Sequence, residues 1–336
     1  MTVPDSHRNL RTVRSMDLRS ALDKAADAVV VPGYTRIGHA LRRRGWEPLP
    51  DGALEGSTVV VTGATSGLGE AAASRMAALG AGVVIVGRNP DKAEAAGSRI
   101  AAAARHGGGV EVEIADLSLM EEIRRLAVRL LGRPRIDVLV NNAGVLLPER
   151  RVTAEGNDVT LATNLLGHFL LTNLLVPRLV ESAPARIVNV SSGGMYTARI
   201  SVSNLQNEGD YDGRVAYART KRGQVILTEM WAERLRGTGV VVHSMHPGWA
   251  DTPGVEAGIP LFQKVMNPLL RTAEQGADTI VWLAAADEPA GTTGLFWHDR
   301  EPRPTHRVSR TRETAEQRER LWRALSDLAG WDDPEG

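Results

Sequence analysis

Residues 58–80 read TVVVTGATSGLGEAAASRMAALG and constrain the fold of this chain more than any other stretch. Thr58 to Val61 is a short β-branched run, the pattern of a buried parallel strand. Gly63, Gly67 and Gly69 follow, and Ala71, Ala72, Met76 and Leu79 then fall on the apolar positions of a helix. Glycines at a strand-to-helix turn permit a sharp bend and a close approach of backbone to ligand, and the helix start leaves N–H groups without partners. A pyrophosphate suits that end of a helix. The spacing is Gly-x-x-x-Gly-x-Gly rather than the common Gly-x-Gly-x-x-Gly, and a tight turn without any ligand would use the same residues.

Strand and helix patterns then alternate along the chain. Val83 to Gly87, Val110 to Ala115, residues 136–140, Arg186 to Val190, Val240 to Ser244 and residues 293–298 read as strands. Helical stretches at about 90–105, 118–131, 153–181, 216–236 and 273–286 separate them. Such alternation predicts a doubly wound α/β fold, a seven-stranded parallel sheet with helices on both faces and right-handed crossovers. A length of 336 residues with 43% hydrophobic content suffices for its core. The formal net charge is zero, so bulk electrostatics do not favour nucleic acid. Cysteine is absent, which excludes a disulfide framework and thiolate chemistry and fits a cytoplasmic enzyme. No transmembrane span and no signal peptide are expected, and no metal cluster is evident.

Ligands of such sheets bind at the carboxyl ends of the strands. Arg88 follows the second strand, where domains that prefer NAD carry an acid on the ribose hydroxyls. A basic residue there would meet a 2′-phosphate, which favours NADP(H) and leaves NAD(H) open; a solvent-facing loop arginine needs neither. Asp116 ends the third strand, and Asn141-Asn142-Ala143-Gly144 follows the fourth, either as a ribose contact or as a loop cap. Asn164, between Leu161 and Leu165, is expected to distort its helix by bonding its own backbone. His168 on that helix reads as structural, since no second metal-like ligand has suitable spacing. Tyr217 and Lys221 are one helical turn apart. A phenol with pKa near 10 is a poor base at neutral pH, and an ammonium beside it would favour the phenolate. A surface pair would have the same spacing.

Taken together, TGATSGLG at 62–69, NNAG at 141–144, Asn164, Ser192, Tyr217-x-x-x-Lys221 and HPG at 246–248 resemble the short-chain dehydrogenase/reductase superfamily, in order and across roughly 58–298. SSGGM at 191–195, NLQ at 204–206, MHPGWADTPGV at 245–255, EQGADTIVWLA at 274–284 and GYTRIG at 33–38 resemble the group of dehydrogenase/reductase SDR family member 12. The resemblance implies a Rossmann-type fold and a nicotinamide cofactor. It implies that Tyr217 is the general acid/base, that Ser192 rather than Ser191 orients the substrate oxygen, and that Asn164 holds a relay water. Lys221 would bind the nicotinamide ribose and lower the tyrosine pKa. Gly63, Ser66, Gly67, Leu68 and Gly69 would line the pyrophosphate turn, with Asp116, Leu117, Asn142, Ala143 and Gly144 on the adenosine side. Val190, Pro247, Gly248 and Thr252 would face the nicotinamide. Relatives act on retinoids, steroids and other lipophilic alcohols or ketones. Family members often pair through the helices at 153–181 and 216–236, so a homodimer or homotetramer is open.

Flanking segments complete the division. Residues 1–55 form a helical extension, with helices expected at 17–31 and 35–44 and a linker from Pro48 to Gly56. Its first fifty residues hold nine Arg or Lys against five Asp or Glu. Packing on the main domain is the reading preferred over contact with a membrane surface, and Arg42–Arg44 would be a solvated helix end. The catalytic domain spans 56–299, with a substrate lid at about 249–272 rich in Trp249, Leu261, Phe262 and Leu270. Residues 300–336 read as a charged extension, with His306 in a solvated connector and an amphipathic helix at 313–328. Function is expected to be alcohol–carbonyl interconversion on a small-molecule substrate; a non-catalytic nucleotide-binding scaffold and an epimerase or dehydratase are the alternatives.

Overall fold

The computed structural model describes residues 33–251, 264 and 266–334. The expected helix at 17–31, Thr252 and most of the 249–272 segment lie outside them. Helix α1 (Arg36–Arg43) precedes β1 (Thr58–Thr62), α2 (Gly67–Ala78), β2 (Gly82–Gly87), α3 (Pro90–Ala103), β3 (Val110–Ile114), α4 (Met120–Leu131) and β4 (Val138–Asn141). There follow α5 (Val159–Glu181), β5 (Ala185–Val190), α6 (Gly213–Arg234), β6 (Val240–Met245), α7 (Ala273–Ala285), β7 (Phe296–His298), β8 (Glu301–Arg303) and α8 (Ala315–Ala329).

The sheet has eight strands in the order β3-β2-β1-β4-β5-β6-β7-β8, and β8 pairs antiparallel with β7. This corrects the expectation of a seven-stranded, purely parallel sheet. The reversal occurs at Asp299 and Arg300, whose φ angles of 53° and 59° turn the chain back on itself. Pro302 is tolerated because β8 is an edge strand, and a charged three-residue segment with a proline carries no strand signal.

Strand residues alternate between two cores, as period-2 geometry requires. Val59, Val61, Val83 and Ile85 pack with Ala72, Met76, Ile100 and Ile280 under α2, α3 and α7. Val60, Val84, Leu139 and Ile187 pack with Ile123, Leu126, Phe169 and Ile226 under α4, α5 and α6. Order reverses between β1 and β4, which opens the ligand crevice above their carboxyl ends.

Helix α8 packs against α5 and α6. Leu321, Trp322 and Leu325 are buried there, with Trp322 edge-on to Phe169 at 5.0 Å and to Trp231 at 6.1 Å. Among the described residues, Val159–Glu181 is long and apolar enough to cross a membrane, yet 83% of its apolar window lies buried in the protein, as in a core helix.

Two arginines lie inside, one of them Arg42 of the expected solvated helix end. Arg42 reaches Asp299 at 2.7 Å with 8% of its side chain exposed. Arg222, fully buried, pairs with Glu313 at 2.6 Å and bonds Thr305 O and the His306 ring, so the connector is a docked segment. In each case the partner is remote in sequence, which local composition does not reveal.

Candidate active site

Gly63 has φ of +66°, and a Cβ there would fall 2.7 Å from Ala143 Cα, so the turn after β1 is closed by the loop after β4. The Asn142 amide locks the pair by donating to Thr62 O at 2.8 Å and Gly63 O at 3.2 Å. Thr62 Oγ1 accepts from the Asn142 and Ala143 N–H groups. Asn142 and Ala143 therefore hold the turn rather than offering free polar groups. Ser66 caps α2 without using its hydroxyl, and Gly69 packs beneath it against Gly63 O. The first-turn N–H groups of α2 are those a helix leaves for an anion. Leu68 faces inward against Gly276 of α7.

Arg88 stands exposed after β2, with no hydrogen bond or ion pair among the described residues. Asp116 is half-buried; its Oδ1 accepts from Ser118 N at 2.9 Å and Ser118 Oγ at 2.8 Å, an arrangement that stiffens the loop after β3. Leu117 is 5% exposed and its carbonyl abuts Gly167 on α5. These groups follow the carboxyl ends of β2 and β3.

Over β4, β5 and β6 the other predicted residues converge. Asp212 caps α6 by accepting from Arg214 N and Val215 N, which fixes the start of the helix that carries Tyr217 and Lys221. Ser192 lies beside Tyr217, and its hydroxyl acts to lower the tyrosine pKa. The neighbouring Ser191 is 2% exposed and donates to Lys221 O at 2.8 Å, so its hydroxyl is consumed by the scaffold. Lys221 is 3% exposed, and Nζ donates to Val190 O at 2.7 Å and Gln224 Oε1 at 3.0 Å. An ammonium has three donors, so one remains for a ligand. A Cβ on Gly144 would lie 3.5 Å from both Lys221 Nζ and Asn164 Oδ1, which brings these three residues to one point.

Burial pushes the Lys221 pKa down to about 7. Burial raises that of Tyr217 and outweighs the Ser192 hydrogen bond that lowers it. The expected lowering by Lys221 is thus absent in this form: Nζ is 5.5 Å from the ring centroid and bonds elsewhere.

Asn164 sits in a π turn, Ala162–Leu166, so the helix is distorted as expected, but not by the expected bond. Its side chain makes a two-way clamp on Val145, accepting from N at 2.7 Å and donating to O at 2.9 Å, and also donates to Thr220 Oγ1 at 3.2 Å. His168 is buried, and its pKa is driven to about 3 mainly by burial. Its Nδ1 faces Gln224 Nε2 at 2.9 Å. Lys221, Gln224 and His168 therefore form one buried chain. Sequence reasoning missed Gln224, although its place three residues after Lys221 on α6 puts it on the same helix face.

Pro247 and Gly248 follow β6. Gly248 adopts φ of +76°, and Pro247 O accepts from Arg271 Nη1 at 3.1 Å. Arg271, a second residue missed by sequence reasoning, is 1% exposed and pairs with Asp299 at 2.6 Å. Burial opposes the Asp299 charge, but His298, Arg271 and Arg42 outweigh it and hold the carboxyl well below the usual carboxylate range.

The short chain dehydrogenase family model matches residues 57–258. Dehydrogenase/reductase SDR family member 12 from Bos taurus is 36% identical over 302 residues, covering 88% of this chain and 94% of its own. Retinol dehydrogenase 12 from Homo sapiens is 37% identical over 280 residues, covering 82% and 87%. An uncharacterized protein from Mycobacterium paratuberculosis superposes with a TM-score of 0.69 at 30% identity, covering 86% of this chain and 99% of its own. A protein described as an NAD(P) dependent gluconate 5-dehydrogenase from Beutenbergia cavernae, with bound NADP, superposes with a TM-score of 0.61 at 29% identity, covering 74% and 97%. With this family match, relatives of that identity along most of its length and an NAD(P)-binding Rossmann fold, the chain belongs to the short-chain dehydrogenases/reductases and is an NAD(P)-dependent oxidoreductase of alcohol and carbonyl substrates.

Proposed function

We propose that the chain is an NADP(H)-preferring reductase or dehydrogenase of an apolar alcohol or ketone, with Tyr217 as general acid/base. The placing of Ser192 beside Tyr217, with Lys221 Nζ 5.5 Å from the tyrosine ring centroid, is the observation that carries this reading. When bound, the nicotinamide supplies or accepts the hydride. Ser192 holds the substrate oxygen, and Tyr217 gives its proton to the forming alkoxide, or takes it in the reverse direction. Burial keeps Tyr217 protonated at neutral pH, which suits the reductive direction. Lys221 presents its remaining donor to the ribose, and Asn164, through its clamp on Val145, fixes the wall between α5 and Gly144. The unengaged guanidinium of Arg88 supports 2′-phosphate recognition. The names of the relatives, retinol dehydrogenases among them, support a lipophilic substrate.

NADPH fluorescence followed by a panel of lipophilic aldehydes and ketones tests the reading. Carbonyl-dependent NADPH oxidation abolished in Tyr217→Phe is the expected outcome. Cofactor binding without turnover, unchanged by that substitution, would instead mark a nucleotide-binding scaffold.

A further inference from the structure

Gly33–Thr35 precede β1 by more than twenty residues, yet their carbonyls are built into the loop after β6. Trp249 N donates to Tyr34 O at 2.8 Å. Arg271 Nε donates to Thr35 O at 3.2 Å, and Nη2 to Gly33 O at 3.1 Å. The same guanidinium reaches Pro247 O through Nη1 and both Asp299 oxygens, at 2.6 and 2.8 Å. A guanidinium has five N–H donors. All five are used here, on the leader, on the Pro247 carbonyl and on the turn that leads into β8. The main chain of Arg271 adds two bonds to that loop: its N–H donates to Trp249 O at 2.8 Å and its carbonyl accepts from Asp251 N at 2.8 Å.

The Tyr34 ring then fills the space between this loop and the turn that carries Ser192. It is 3% exposed. A Cβ on Gly193 would fall 2.8 Å from Tyr34 Cε2, so the ring lies directly on the backbone next to Ser192. Its other side meets His246 edge-on at 4.5 Å and Trp249 at 6.0 Å, and its hydroxyl accepts from Arg307 Nη2 at 3.0 Å. A Cβ on Gly248 would fall 2.6 Å from Arg271 Cζ and 2.7 Å from Tyr34 O. The Gly248 backbone is thus pressed against both residues.

We propose that Tyr34 and Arg271 are positioning residues of the nicotinamide half of the site, setting the separation between the Ser192 turn and the Pro247–Gly248 loop. The inference rests on the reading of that loop as the nicotinamide contact. It makes the leader part of the active-site wall rather than an appendage. Lysine at position 271 can keep the charge opposite Asp299 but offers at most three donors. Leucine at position 34 removes the ring and leaves the buried ion pair intact.

The test measures binding of NADPH and of 2′,5′-ADP, which carries the adenosine bisphosphate and no nicotinamide, to full-length wild type, Arg271→Lys, Tyr34→Leu and Tyr34→Phe. Arg271→Lys and Tyr34→Leu should weaken NADPH about tenfold and leave 2′,5′-ADP within about twofold, as loss of hydrogen bonds and packing on one side of the cleft predicts. Tyr34→Phe, which keeps the ring, should restore NADPH affinity. Should Arg271→Lys fail to fold, Tyr34→Leu carries the same comparison. Unchanged NADPH affinity in both variants, or equal weakening of both ligands, would overturn the proposal. Wild-type binding of 2′,5′-ADP but of no nicotinamide dinucleotide more tightly than the fragment would overturn the nicotinamide reading of the loop, and this proposal with it.

Discussion

The two halves of the crevice are built differently. On the β1–β3 side, the features sit in short local motifs, the Gly63–Gly69 turn, Arg88 at the end of β2, and Asp116 bonded to Ser118, with Asn142 of the loop after β4 locking the first. On the β5–β7 side, each feature is assembled from distant residues. Arg271 joins Gly33, Thr35, Pro247 and Asp299, and Lys221 joins Val190. The first half offers main-chain N–H groups at a helix start, which a short motif can specify. The second works by buried charged side chains, each of which needs acceptors supplied by the whole fold.

That contrast predicts where substitutions act. Lys221→Ala should lower turnover about 10²–10³-fold, within the usual range for a group that supports general acid/base catalysis, with a much smaller change in NADPH affinity. Steady-state kinetics and fluorescence titration separate the two quantities, and an unaltered turnover would remove Lys221 from the mechanism. Arg222→Met strands the buried Glu313 carboxylate and should cost about 3–5 kcal/mol of stability, read from the urea midpoint. Paired with Glu313→Leu, most of that loss should return, whereas a surface-type ion pair would show little loss at all.

His168 sharpens the comparison, because Gln224 joins it to Lys221. Its folded pKa of about 3 is below the unfolded value near 6.5. Between those values the unfolded chain binds the extra proton and the folded chain does not. Stability is therefore fully present above pH 6.5 and falls as pH drops, by about 2 kcal/mol from this residue between pH 6.5 and 5. His168→Leu should flatten the slope of stability against pH by that amount, and an unchanged slope would show that the ring is protonated in the folded protein. The smallest effect belongs to the β1–β3 side. Arg88→Asp should shift preference from NADPH toward NADH about tenfold in kcat/KM, leaving stability unchanged because Arg88 is exposed. Equal kinetics with both cofactors before and after the change would remove the phosphate role.

The same division marks what was legible in the sequence. The turn after β1, the β-branched strands and the Tyr217–Lys221 spacing are contiguous patterns, and each element containing them has its expected type. The eighth strand was not legible, since Glu301–Arg303 gains its pairing from the reversal at Asp299 and Arg300. Nor were Arg42, Arg222 and Arg271, because a buried arginine looks like a solvated one until its carboxylate and carbonyl partners are known. The Asn164 π turn lies between these cases. A polar residue amid leucines signalled a distortion, while the Val145 partner that engages its side chain came only with the fold.

The account depends above all on the Tyr217 hydroxyl acting beside Ser192. Tyr217→Phe keeps the ring, removes the oxygen and leaves the α2 turn untouched, so NADPH binding and carbonyl-dependent NADPH oxidation can be compared in one preparation. The account predicts NADPH affinity within about twofold of wild type with turnover reduced at least about a hundredfold, the lower range for a lost general acid. Turnover equal to wild type at unchanged affinity would contradict it.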